Sequence, residues 1–178
     1  MMNNLSRHVA GLEQFLFTNK KSAVIWFVIR LYLANIWLSA GYAKFINPAW
    51  VGADAGKGIM GFVSGALQKT GGAHPDVMLW YAWFLTHCVA PYPLFWSYAI
   101  TFGEVAVGLG LLFGVLTAFA SGAGLLMNFN FLFSGAVSVN PIMILLGIPL
   151  LLAWRVSDTI GVQRFLAAFF RKKTPKRR

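Results

Sequence analysis

Carboxylates are scarce in this chain. Of its 178 residues only Glu13, Asp54, Asp76, Glu104 and Asp158 are acidic. Charged residues make up 11% of the total, against about 25% in an average soluble domain. Cysteine occurs once, as Cys88, which excludes an intramolecular disulfide, a CxxC redox pair and a cysteine-based zinc site. The three histidines, His8, His74 and His87, are not paired within apolar segments, so a bis-histidine haem is not expected. There is no glycine-rich dinucleotide fingerprint and no iron–sulfur cysteine set. The residues therefore predict no intrinsic cofactor.

What the chain has is apolar length. It is 58% hydrophobic with a mean hydropathy of +0.65, and its apolar residues gather in runs of bilayer size. This pattern predicts an all-α integral membrane protein, a single domain over 1–178. The net charge of +10 is unevenly placed: eight of the fifteen basic residues lie from Arg155 onward and six of them in the tail 171–178. With no groove-reading motif beside them, these charges point to a cytoplasmic flank attracted to anionic lipid rather than to nucleic acid. The first 21 residues lack the form of a cleavable signal peptide and are expected to remain.

Four spans are predicted, at about 22–45, 94–113, 116–133 and 141–156, forming a four-helix bundle. Gly114 separates the second from the third. Asn140 is the expected N-cap of the fourth, with Pro141 at its first helical position. Basic residues flank the first span's start and the last span's end, so both termini are expected in the cytoplasm, in a multi-pass inner-membrane arrangement. The connection 47–93 then lies outside. Helical spacing of Ile59, Phe62, Val63, Ala66 and Leu67 predicts one short helix over 57–70. A second is predicted over 76–89, opened by Pro75 and Asp76 and ended before Pro91. Tryptophans and tyrosines crowd this region, which places both helices at the membrane–water interface.

Arg30 lies within the first span and Glu104 within the second. A charge in the bilayer core needs a partner. Arg30 is about 14 Å beyond Lys21, and Glu104 about 15 Å past Leu94, so both are expected near the midplane. Arg30, Ala34, Trp37, Gly41 and Lys44 form one helical stripe, and Ser97, Thr101, Glu104, Gly108 and Leu111 form another. Run antiparallel, these stripes predict an Arg30–Glu104 pair, with Trp37 against Ser97 and Trp26 against Gly108. The pair is either an orienting contact or the centre of a functional site. A second polar stripe of Tyr32, Asn35, Ser39 and Tyr42 predicts that the first span is central or touches another subunit. Ser121, Gly124 and Asn128 line one face of the third span and read as packing contacts or pocket residues.

Arg30, the segment "GYAKF" followed by Pro48, "GEVAVGLGLLFG" at 103–114 and Asn128 together resemble the DoxX/DoxD family of small membrane proteins. The outer stretch, from "NPAWVG" to "WYAWFL", is similar to the longer DoxD-type members, and the likeness covers about 22–165. The resemblance implies a four-helix membrane bundle and a link to thiosulfate:quinone oxidoreductase, with quinone as electron acceptor and a second subunit as partner. It carries over onto Arg30, Lys44 and Glu104.

Three functions stay open on this reading. One is a quinone-linked oxidoreductase subunit, with Arg30 and Glu104 as catalytic residues and a pocket drawn from Tyr32, Trp37, Gly41, Lys44, Thr101 and Asn128. Lys44, with His87, either attracts an anion such as thiosulfate or snorkels to the headgroups. The second is a non-catalytic subunit or homo-oligomer that docks a redox partner. The third is a small-molecule transporter, disfavoured by the absence of an inverted repeat.

Overall fold

The computed structural model describes residues 4–162, and the basic tail 171–178 lies outside them. Every regular element among the described residues is a helix, and none is a strand. Helix α1 (Asn4–Thr18) leads through a short 3-10 turn into α2 (Ala23–Phe45). Two short helices follow, α3 (Lys57–Leu67) and α4 (Leu79–Phe84), then α5 (Pro93–Phe113), α6 (Thr117–Phe133), α7 (Asn140–Leu152) and α8 (Trp154–Ser157). Helix α2 packs on α5, α5 on α6, α6 on α7, and α7 back on α2, which closes a ring of four. The segments Lys20–Phe45 and Pro93–Phe113 are long and apolar enough to cross a membrane. Helices α6 and α7 are apolar but shorter, at 17 and 13 residues.

The bundle interior is built from Trp26, Leu33, Trp37, Leu111, Met143 and Leu150. A second apolar cluster sits over the Lys44 end, where Ile59, Val63 and Ala66 of α3 meet Tyr81, Leu85 and Val89. The Tyr81 hydroxyl fastens this cap to α6: it lies 2.9 Å from the Asn130 carbonyl and 3.1 Å from Asn130 Oδ1. Burial of the phenol pushes its pKa up from 10 to about 12. The folded state therefore keeps this proton where the unfolded chain loses it. The stabilisation is complete below pH 10 and is lost as pH rises through 12. The loss is on the order of 2 kcal/mol. Denaturant titrations between pH 9 and 12 on the wild type and Tyr81→Phe should show it, with the variant lacking that component.

Several local expectations are corrected. Helix α1 was not anticipated; its packing explains it, since Trp26 Nε1 donates to the Leu16 carbonyl at 2.8 Å and Phe17 lies against the Trp26 ring. Pro75 and Asp76 precede α4 rather than open it, because Met78 is extended and the helix begins at Leu79. The same segment continues as a π-helix over Leu85–Val89. Asn140 is the first residue of α7, and its side-chain amide donates back to the Ala136 carbonyl at 2.7 Å instead of capping forward. Pro149 lies inside α7, which ends at Leu152, short of the expected 156. Gly114 does end α5, in the left-handed conformation at φ 64° that closes many helices.

The expected register between α2 and α5 is also corrected. Gly108 lies against Leu38, not Trp26, and Gly41 lies against Val105. Arg30 is level with Gly114. The expected pairing requires the two helices to share end planes, and they do not. The first two turns of α5, about 11 Å, rise past the end of α2. There they meet the loop at Gly56 and Trp50. The first two turns of α2 extend past α5 at the other end and are covered by α1 and α8.

Candidate functional site

The shift in register changes every charge partnership. Glu104 is 1% exposed, and both its carboxylate oxygens lie 2.8 Å from Lys44 Nζ. Lys44, at the last turn of α2, is 21% exposed on its side chain. Gly41, three residues earlier on the same face, makes this reach possible. A Cβ there would stand 2.7 Å from Val105 Cγ2 and 3.3 Å from Glu104 Cβ, so the glycine lets the two helices close at the level of the carboxylate.

The expected Arg30–Glu104 pair is therefore not formed. Arg30, 1% exposed, sits at the opposite end of the bundle. Its Nη1 donates to the Ser157 carbonyl at 3.0 Å and its Nη2 to the Ile160 carbonyl at 2.6 Å. The guanidinium also lies over the Phe27 ring, 5.4 Å from the centroid. Carbonyls at and just beyond the end of α8 have no intrahelical donors, and a guanidinium supplies several in a fixed fork. Arg30 is a cap on the final turns, away from Glu104's surroundings.

The Lys44–Glu104 pair forms part of the wall of a cavity of about 260 Å³. Its other surfaces are mostly apolar and aromatic: Trp37, Trp50, Phe62 and Phe131, with Ile100 and Met143. Trp50 comes from the loop after α2, and three contacts hold it. Its carbonyl accepts from the buried Ser97 hydroxyl at 2.8 Å. Its indole lies over α3 where Gly58 offers no Cβ. Its ring faces Lys44 Nζ, 5.3 Å from the centroid. An adjoining apolar groove of about 400 Å³ shares Ile59, Phe62, Ile100 and Phe131 with the cavity and runs between α3, the π-helix, α5 and α6.

Of the residues expected in the pocket, Trp37, Lys44 and Glu104 line this cavity, and Gly41 packs behind it. Thr101 is buried one turn from Glu104, but its hydroxyl donates to the Ser97 carbonyl at 2.8 Å and it is not in the lining. Tyr32 is 47% exposed and points out of the bundle, so it is not a pocket residue. Asn128 is buried beside a separate void of about 10 Å³ that it shares with Ser121; among the described residues Asn128 Oδ1 and Ser121 Oγ have no hydrogen-bond partner. Such a void is about the size of one water. His87 stacks on Trp83 at the exposed surface, with ring centroids 4.9 Å apart, and is not part of the cavity lining.

Sequence reasoning missed Trp50, Phe62, Ile100, Phe131 and Met143. Trp50 and Phe62 come from the connection between spans, where no period relates them to the α2 stripe. Gly58 was the one local signal, since a glycine in the first turn of a helix permits an aromatic ring to lie against its backbone.

The chain matches no protein-family model, no curated protein and no solved structure.

Proposed function

We propose that the chain is a four-crossing inner-membrane protein of the DoxX/DoxD kind, with α2, α5, α6 and α7 as the crossings, and that it binds the ring of a quinone in the Lys44–Glu104 cavity as one subunit of a thiosulfate:quinone-type oxidoreductase. The observation that carries this reading is a buried ammonium–carboxylate pair set in an otherwise apolar, aromatic-walled cavity. A volume of 260 Å³ lies just below the range of about 300–1,000 Å³ for drug-sized ligands and suits a single substituted ring. Flat indole and phenyl walls stack on such a ring. The adjoining groove is apolar enough to receive its hydrocarbon tail.

The chemistry follows from the pair. Reduction of a quinone takes up two electrons and two protons. The electrons come from thiosulfate through the partner subunit, as the family resemblance implies. Lys44 has three N–H donors and directs hydrogen bonds to Glu104; a remaining N–H can donate to a ring carbonyl and favour negative charge there. The Glu104 carboxylate is placed to take up a proton from water and pass it to a ring oxygen, once for each of the two protons the quinol gains. The crossings draw support from the outward surfaces of α5, α6 and α7, where Phe102, Leu109, Phe119, Leu126, Leu145 and Ile148 are all exposed.

The test is binding of a tail-less benzoquinone to the purified protein in detergent, followed by calorimetry. The wild type should bind, and the Lys44→Met/Glu104→Gln double variant should bind at least about tenfold more weakly, the equivalent of one lost charge-assisted hydrogen bond. No binding by the wild type, or equal binding by the folded double variant, would sink the proposal.

A further inference from the structure

The four long helices present different surfaces to the outside. On α5 the exposed positions include Leu94, Phe95, Phe102 and Leu109, on α6 Phe119, Leu126, Phe129 and Phe133, and on α7 Ile142, Leu145, Ile148 and Leu152. No polar side chain is exposed on any of these three. Helix α2 differs. Its exposed residues include Tyr32, Asn35, Ser39 and Tyr42. They fall at intervals of 3, 4 and 3 along one narrow stripe, and Val28 and Ile25 extend it toward the start of the helix. Asn35 stands twelve residues into α2, about 18 Å along a helix of about 34 Å, so on the four-crossing reading it lies at mid-bilayer. Acyl chains cannot satisfy an amide's two donors and its acceptor.

We infer that α2 is a dimerisation helix, and that a second copy of this chain covers the stripe Val28, Tyr32, Asn35, Ser39 and Tyr42 with its own. The inference rests on the membrane reading but not on the quinone. Two copies inserted in the same sense are related by a two-fold axis along the membrane normal, which lays α2 parallel to its mate and brings each stripe onto itself. The stripe suits that symmetry. It carries no charge, so self-juxtaposition repels nothing. An amide, a hydroxyl and a phenol each both donate and accept, so each can bond its own copy. Intervals of 3 and 4 with apolar residues at one end and a single central asparagine form the seam of a two-stranded coiled coil, in which such an asparagine sets register and copy number. Ser39 is small enough to allow close approach near the centre.

Cysteine cross-linking in native membranes tests this directly. Cys88 is the sole native cysteine and is replaced by serine in the background. Val28→Cys, Asn35→Cys, Ser39→Cys and Tyr42→Cys should then form disulfide-linked dimers on mild oxidation. Phe119→Cys and Leu145→Cys, equally exposed but on α6 and α7, should not. Dimer yields no higher than those controls would overturn the inference, as would cross-links from the same positions to a different protein. A second readout needs no cysteine: Asn35→Leu should weaken self-association, measured by energy transfer between labelled copies in lipid, by about threefold to tenfold. Unchanged association would count equally against it. Quinone binding should survive Asn35→Leu, so failure of dimerisation and failure of the ring site are read separately.

Discussion

Lys44→Met should destabilise the protein by about 3–5 kcal/mol, the range seen when one member of a buried pair is removed. The reason lies with the residue left behind. Glu104 is 1% exposed, and Lys44 is the only cation within salt-bridge distance of it among the described residues. Without the ammonium, the carboxylate must take up a proton or unfold its surroundings. Adding Glu104→Gln should restore most of the lost stability, because an amide in that place carries no charge to strand. Arg30→Met is the informative control. Arg30 donates to the Ser157 and Ile160 carbonyls at the other end of the bundle, so its effect should simply add to that of Glu104→Gln, within about 0.5 kcal/mol. Denaturant midpoints in detergent for the singles and both doubles make the comparison. A non-additive Arg30/Glu104 pair with an additive Lys44/Glu104 pair would contradict the observed contacts.

Gly114→Val should be the most damaging single substitution at the other end. Gly114 is left-handed at φ 64°, a conformation costing an ordinary side chain about 1–2 kcal/mol and a β-branched one more. Any Cβ at this position also collides with the Arg30 guanidinium, and Gly161 packs so near that a Cβ built on it would stand 3.0 Å from the Gly114 carbonyl oxygen. The arginine could relieve the clash only by leaving the carbonyls it caps, which forfeits about 1.5–3 kcal/mol for each charged hydrogen bond. The expected total is at least about 4 kcal/mol, visible as a fall in the thermal midpoint or as failure of the protein to accumulate in cells. Gly122→Val is the matched control, since Gly122 has open space around its Cβ position; it should cost less than about 1 kcal/mol.

Much of the architecture was legible in the residues. Apolar run lengths located α2, α5 and α6 to within a residue or so, and Gly114 marked the end of α5 because its position calls for a left-handed residue. The inward stripes were legible too: Arg30, Ala34, Trp37 and Gly41 are all buried, as are Ser97, Thr101 and Glu104. Helical periodicity determines which face is polar, and that face must be covered. It does not determine how far two antiparallel helices slide past each other. The slide is set by the loop climbing α5, by Gly41 permitting contact at Val105 and by α1 filling the space beside Trp26, none of which has a period. Hence the need for a partner to Glu104 could be inferred while the choice between Arg30 and Lys44 could not. Arg30 posed a further difficulty, because its partners are backbone carbonyls, and every residue carries one.

The unequal exposure of Lys44 and Glu104 sets an order of encounter. Glu104 is sealed from behind by α2 and α5, and Lys44 with the Trp50 indole stands on its open side. A visitor to the carboxylate thus meets a fixed positive charge before it meets the negative one. On the proposed ring site, a carbonyl oxygen entering from that side would reach the ammonium hydrogens before it nears the carboxylate.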